Sequence, residues 1–201
     1  MPQVVNKPRG GARIQSAKVV ERRSRIYAQL LAESAALFAD RGMEAVSVED
    51  IIAAVGISRR TFYGFFASKY EIVGALLNPI FAAGVARLRE LDQGPPALIL
   101  PGVVDFYLQQ WQENQTALQL INALEPAAFS YIEAGHRRFA RALQRALASC
   151  EAAGLLRNGS AAYSFKLISR TAIPLLKVYQ DHPELPHLYR ETMVTLLAKS
   201  K

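Results

Sequence analysis

Ser58, Arg59, Arg60, Thr61 and Tyr63 crowd into six residues, and each can donate a hydrogen bond. No acidic residue lies between Asp50 and Glu71. A short helix with this face suits a groove walled by phosphates and floored by acceptor-rich base edges. The chemistry is recognition rather than bond making. A guanidinium can fork onto O6 and N7 of guanine, for about 1–3 kcal/mol of discrimination per good pair. Arg59 and Arg60 are therefore the candidate base readers, with Thr61 third.

Other reactive constellations are poor. His182, Glu184 and His187 sit in a Pro-rich stretch without the i,i+4 spacing of a helical metal pair, so no metal ligands are expected. Cys150 and His136 fall about four turns apart on one helix, too far for a nucleophile and its base. There is no P-loop, no Gly-rich dinucleotide turn and no nucleophile elbow. Neither catalytic residues nor a cofactor are expected.

The candidate readers need a rigid support, and the flanking residues spell one out. Ser47 offers an N-cap oxygen with Asp50 three residues on, and Val48, Ile51, Ile52 and Val55 form the stripe of a short helix. Gly56 permits the positive φ of a tight turn, Ile57 plugs the angle, and Ser58 caps the next helix, Arg59 to Phe65. This is a helix-turn-helix with its core at 47–66, and Phe62 and Phe66 are expected to point inward. Ahead of it, Ile26, Leu30, Leu31, Ser34, Leu37 and Phe38 predict a helix from about 22 to Gly42. Behind it, Ser68 and Glu71 form a capping box for a long helix reaching about Leu91.

After the break at 92–96, helices are expected near 101–114, 116–124, 129–153, 160–179 and 186–199, with Pro174 predicting a kink. The fold class is all-α. Composition agrees: the 201 residues include 31 Ala and 24 Leu but only 5 Thr. The lone Cys150 excludes an intrachain disulfide and suits a reducing compartment. There is no run of 18 apolar residues and no signal-peptide h-region, so a membrane partner is not expected and the location is expected to be cytoplasmic.

The net charge is +7. Residues 1–69 carry 11 Lys/Arg and 6 Asp/Glu, against 13 and 11 in residues 70–201. Residues 1–21 read as a basic arm drawn to a polyanion or as a solubilising tail. Arg137, Arg138, Arg141 and Arg145 make a second basic stripe: a solvated face, a site for an acidic ligand, or another DNA contact.

Leu37-Phe38, Gly42, Ser47-Val48, Ile51, Gly56-Ile57-Ser58, Thr61-Phe62-Tyr63, Phe66, Ser68-Lys69 and Leu76-Leu77 resemble, in order and spacing, the signature of the tetracycline-repressor (TetR) family. The resemblance implies a homodimeric transcription regulator, usually a repressor, that binds a pseudo-palindromic operator in double-stranded DNA. Residues 22–81 would be the DNA-binding domain and 82–201 a helical ligand-binding and dimerisation domain. By the same resemblance Ser47, Tyr63 and Lys69 would hold phosphates. Two residues depart from the pattern: Ile52 stands where Ala is usual, and Phe65 where a polar residue is common. A phenyl ring cannot donate to a phosphate, so Phe65 would touch a sugar or thymine methyl instead.

The effector is expected to be an unidentified small molecule, apolar or aromatic, in a pocket drawn from Phe106, Tyr107, Trp111, Phe129, Phe139 and Phe165. Phe165, Ile168, Ala172, Leu176, Leu196 and Leu197 would form the dimer interface as a four-helix bundle. Two alternatives stand beside this reading: a regulator with no small-molecule effector, and a helical enzyme or carrier with a vestigial DNA-binding domain.

Overall fold

The computed structural model describes residues 17–121, 124 and 126–200. The arm expected at 1–21 lies outside the described residues up to position 16, and its remainder is already helical. Helix α1, Ala17–Arg41, starts one turn earlier than the sequence pattern suggested. Near its start the Arg23 guanidinium donates to the Gly64 carbonyl at 3.1 Å and lies over the Phe65 ring at 4.5 Å.

Helices α2 (Val48–Val55) and α3 (Arg59–Tyr63) follow, and α4 (Lys69–Asp92) joins them to the rest of the chain. A short 3-10 turn at Pro96–Leu98 leads into α5, Ile99–Ile121. The two helices predicted at 101–114 and 116–124 are segments of α5, separated by a local break at Asn114 with φ −137° and ψ 32°. The single helix predicted at 129–153 is instead two, α6 (Pro126–Phe129) and α7 (Glu133–Ala152). The cause is tertiary: the Asn78 amide of α4 donates to the Tyr131 carbonyl at 3.0 Å and holds the intervening turn open.

Helices α8 (Ala161–Val178) and α9 (Leu185–Leu197) complete the described chain. Pro174 lies within α8 without ending it, because its ring is on the exposed side and the missing amide bond faces water. Among the described residues there is no strand, only an isolated antiparallel bridge between Leu156 and Ala198.

The core begins with Leu30, Phe38, Ile51 and Phe62 under the helix-turn-helix and continues without interruption through α4 into the larger unit. By length and mean hydropathy, 1.4 over its most apolar window, α4 could reach across a bilayer, which the expectation of no spanning helix did not foresee. Its apolar residues, among them Ile72, Leu77 and Leu88, are packed against α1, α5 and α7.

Candidate nucleic-acid interface and ligand cavity

The turn between α2 and α3 has the local chemistry its residues require. Gly56 adopts φ 70° and ψ 39°, a left-handed conformation that costs a side-chain-bearing residue energy, and its amide donates to the Ile52 carbonyl at 3.0 Å. Ser58 caps α3 by accepting from the Thr61 amide at 3.1 Å, and its hydroxyl shares a 2.8 Å hydrogen bond with that of Thr61. Phe62 is fully buried and holds α3 against the core. The opposite side of α3 is left to solvent, and there stand Arg59, Arg60 and Tyr63, the last 51% exposed. A five-residue helix thus presents two guanidiniums and a phenol outward on a rigid base.

Several expected contacts are altered by what surrounds them. Arg59 pairs with Glu49 of α2, an acid ten residues away in sequence that the turn folds back beside it. An exposed pair of this kind contributes about 0–1 kcal/mol, so DNA can exchange for it. The Ser47 hydroxyl donates to Asp50 Oδ2 at 2.6 Å and accepts from the Asp50 amide at 3.1 Å. Those hydrogen bonds from Ser47, with Arg41 beside them, hold the Asp50 carboxyl down at about 2.

Lys69 is held within the protomer. Its ammonium donates to the carbonyls of Met43 at 2.6 Å, Val46 at 3.0 Å and Glu44 at 3.4 Å. These contacts fasten the start of α4 to the α1–α2 turn. Phe65 is half-buried, with the Arg23 guanidinium over its ring and the Tyr27 ring centroid 6.2 Å away, and it lines a groove with Ser58 and Thr61. Ile52 is accommodated half-buried against the core. What the sequence reading missed is the part of α1: Arg22 and Arg23 line a groove with Ile57, Ser58 and Thr61. They lie outside the predicted helix-turn-helix core, and the packing of α1 on the turn after α3 brings them to this face.

A second feature lies between α4, α5, α7 and α8. A cavity of about 90 Å³ is walled by Phe81, Phe106, Tyr107, Phe139 and Phe165, with Gln110, His136 and Ser169 as polar points. Four of the six expected pocket residues line it. Trp111 does not, being buried elsewhere in the core, and Phe129 is 39% exposed, with its ring centroid 5.7 Å from that of His136. Burial lowers the His136 pKa and raises that of Tyr107 far above the ordinary phenol, so both present neutral hydrogen-bonding groups.

Gly84 sets the position of the cavity wall. A Cβ there would stand 2.4 Å from Phe139 Cε2 and 2.9 Å from Phe106 Cζ. The cavity is smaller than the roughly 300–1,000 Å³ of drug-sized sites, so a larger ligand must displace these rings and the helices that carry them.

A model of bacterial regulatory proteins of the tetR family matches residues 30–76, the segment that contains α2, α3 and the start of α4. Over that segment the chain is similar to the tetR family. The HTH-type transcriptional repressor KstR2 of Mycobacterium tuberculosis is 41% identical over 63 residues, which span 31% of this chain and 32% of the repressor. The sequence match thus covers about a third of that relative's length. In three dimensions the likeness extends further. The ketosteroid transcriptional regulator KstR2 of M. tuberculosis superposes with a TM-score of 0.68 at 23% identity, covering 87% of this chain and 95% of that one. A tetR-family regulatory protein from Rhodococcus RHA1 gives 0.70 at 17% identity, with 88% and 99% covered. SmeT of Stenotrophomonas maltophilia, solved as a complex with triclosan, gives 0.65 at 18% identity, with 88% and 93% covered. These structural matches establish a shared fold.

The residues expected at the dimer interface fall in different surroundings. Ile168, Ala172, Leu176 and Leu197 are at most 1% exposed within the single protomer, so they cannot also form a surface. Phe165 lines the cavity and Leu196 is half-buried. Helical periodicity identifies an apolar face but not which neighbour covers it. The outward faces of α8 and α9 carry other residues, including Tyr163 at 62% and Val178 at 73% exposure. Among the described residues no group of three or more His, Cys, Asp or Glu converges as metal ligands, and His187 lies 3.7 Å from Glu191.

Proposed function

We propose that this chain is a ligand-responsive, sequence-specific DNA-binding transcriptional regulator, acting as a repressor. The carrying observation is the outward face of α3, where Arg59, Arg60 and Tyr63 are exposed on a helix anchored by the buried Phe62. Two protomers, paired through the exposed faces of α8 and α9, would set two such helices in successive major grooves about 34–36 Å apart. Arg22 and Arg23 add cations at the groove edge. The cytoplasm is the compartment that such a role requires.

The cavity supplies the switch. Its ligand would be a small apolar or aromatic molecule, in keeping with the ring-lined wall; SmeT, which shares this fold, binds triclosan. A ligand that displaces Phe139 and His136 pushes on α7, and α7 begins just after Tyr131. Tyr131 contacts α4 through the Asn78 hydrogen bond and its hydroxyl accepts from Ser68 at 3.4 Å, at the cap where α4 leaves the DNA-binding domain. Pro79 sits one residue further on and cannot donate the next helical bond, which leaves α4 softest beside this contact. The ligand can shift the DNA-binding equilibrium only by its differential affinity for the two arrangements.

Selection from random duplexes tests the function. The expected outcome is enrichment of an inverted repeat whose half-sites lie about 10–10.5 base pairs apart, centre to centre, or a multiple of that. Recovery of no preferred sequence would refute the reading.

Replacing Gly84 tests the cavity. Gly84→Ala should drive the Phe139 ring into the empty space and lower stability by about 1–3 kcal/mol. Apolar compounds that raise the melting temperature of the parent should lose that effect in the variant. An undiminished shift would place the ligand elsewhere.

A further inference from the structure

The basic stripe on α7 is exposed, and it shares a groove with a cation from another helix. Arg138, Arg141 and Arg145 stand at i, i+3 and i+7 along one side of the helix and converge with Arg89 of α4 on a groove of about 430 Å³. Arg137, next in sequence, is on a different side and pairs with Glu133. Among the described residues none of Arg89, Arg138, Arg141 and Arg145 is seen in an ion pair, whereas Arg41, Arg59, Arg87, Arg137 and Arg190 each have a carboxylate partner. The groove contains one carboxylate, Asp92, which accepts from the Ser149 hydroxyl at 2.7 Å. Its floor is aliphatic, from Val85, Leu88 and Ala142.

Four exposed guanidiniums sharing one concave surface with a single carboxylate repel one another. An anion removes it. The planar fork of Arg matches phosphate oxygens two at a time. From Arg138 to Arg145 the row runs seven residues, about 10 Å at the helical rise, longer than a single phosphate. We infer that the groove between α4 and α7 is a binding site for a ligand bearing a di- or triphosphate group, with Arg89, Arg138, Arg141 and Arg145 as its cationic clamp.

Duplex DNA is the less suitable occupant. Arg89 lies twenty residues along α4 from Lys69, about 30 Å from the helix-turn-helix at the helical rise, so the operator bound by α3 does not reach the groove. The inference stands on the groove alone and holds whether or not the chain binds DNA.

Calorimetric titration of the full chain with inorganic pyrophosphate, and separately with a nucleoside triphosphate, tests it. Saturable binding of one anion per protomer is expected, weakened at least tenfold in Arg141→Gln plus Arg145→Gln. Arg157→Gln, an exposed arginine whose guanidinium donates to Ser200, should bind like the parent. Tighter binding of the nucleotide identifies a nucleotide ligand, and equal binding identifies the phosphate chain itself as what is held. Loss of binding in an equal ionic strength of sodium chloride would show general screening and overturn the proposal. So would equal affinity in the parent and the double variant, or no heat with either anion. Circular dichroism at 222 nm, unchanged between parent and double variant, separates loss of the site from loss of the fold.

Discussion

A double variant, Arg59→Ala with Arg60→Ala, should lose the ability to distinguish its selected site from random duplex. Each good Arg–guanine pair supplies about 1–3 kcal/mol, so removing two should weaken specific binding by at least thirtyfold. Non-specific binding should fall much less, because the contribution of other cations such as Arg22 and Arg23 remains. Mobility shift with the selected and a scrambled duplex reads both quantities, and a retained preference would remove Arg59 and Arg60 as readers. Tyr63→Phe makes the contrast: with only a phosphate-facing hydroxyl lost, it should weaken binding to all sequences alike. Glu49→Gln, which frees Arg59 from its ion pair, should tighten binding modestly.

Phe62→Ala should unfold the helix-turn-helix. The ring is fully buried, 5.3 Å from Tyr63 and 6.4 Å from Phe66 between centroids, and removing such a ring costs about 3–5 kcal/mol. Helix α3 has five residues, far fewer than an isolated helix needs to persist in water, so its existence depends on that packing. Chemical denaturation followed by circular dichroism should show an earlier transition in the variant. DNA binding should vanish, while ligand-induced stabilisation at the cavity remains. A variant within about 1 kcal/mol of the parent would contradict the assignment of Phe62 as the anchor.

The nearest comparison between pattern and structure is the turn at Gly56. Its sequence is local, its requirements are local, and the predicted caps at Ser47, Ser58 and Ser68 are all present. The same holds for the class of the fold and for the break at Asn114, where intrinsic preference and surroundings agree. Lys69 and Ser47 show where this kind of inference stops. As residue types they are fitting phosphate donors. Their protons go to Met43, Val46 and Asp50, and that competition is visible only when the chain is folded.

The apolar stripe of α8 behaves in the same way. Its period showed that Ile168, Ala172 and Leu176 share a face, and the protomer's own interior claims that face. Likewise Arg89 comes to the arginines of α7 from nearly fifty positions upstream, a neighbour no spacing rule connects to them.

By itself, then, the amino-acid order determined the caps, the turn, the helical class and the donor-rich run from Ser58 to Tyr63, because each depends on contacts within about four residues. Tertiary structure decided which donors stay free, which apolar faces are internal, where the cavity opens and which cations converge. Those outcomes arise from competition among distant groups for the same protons, the same volume and the same water.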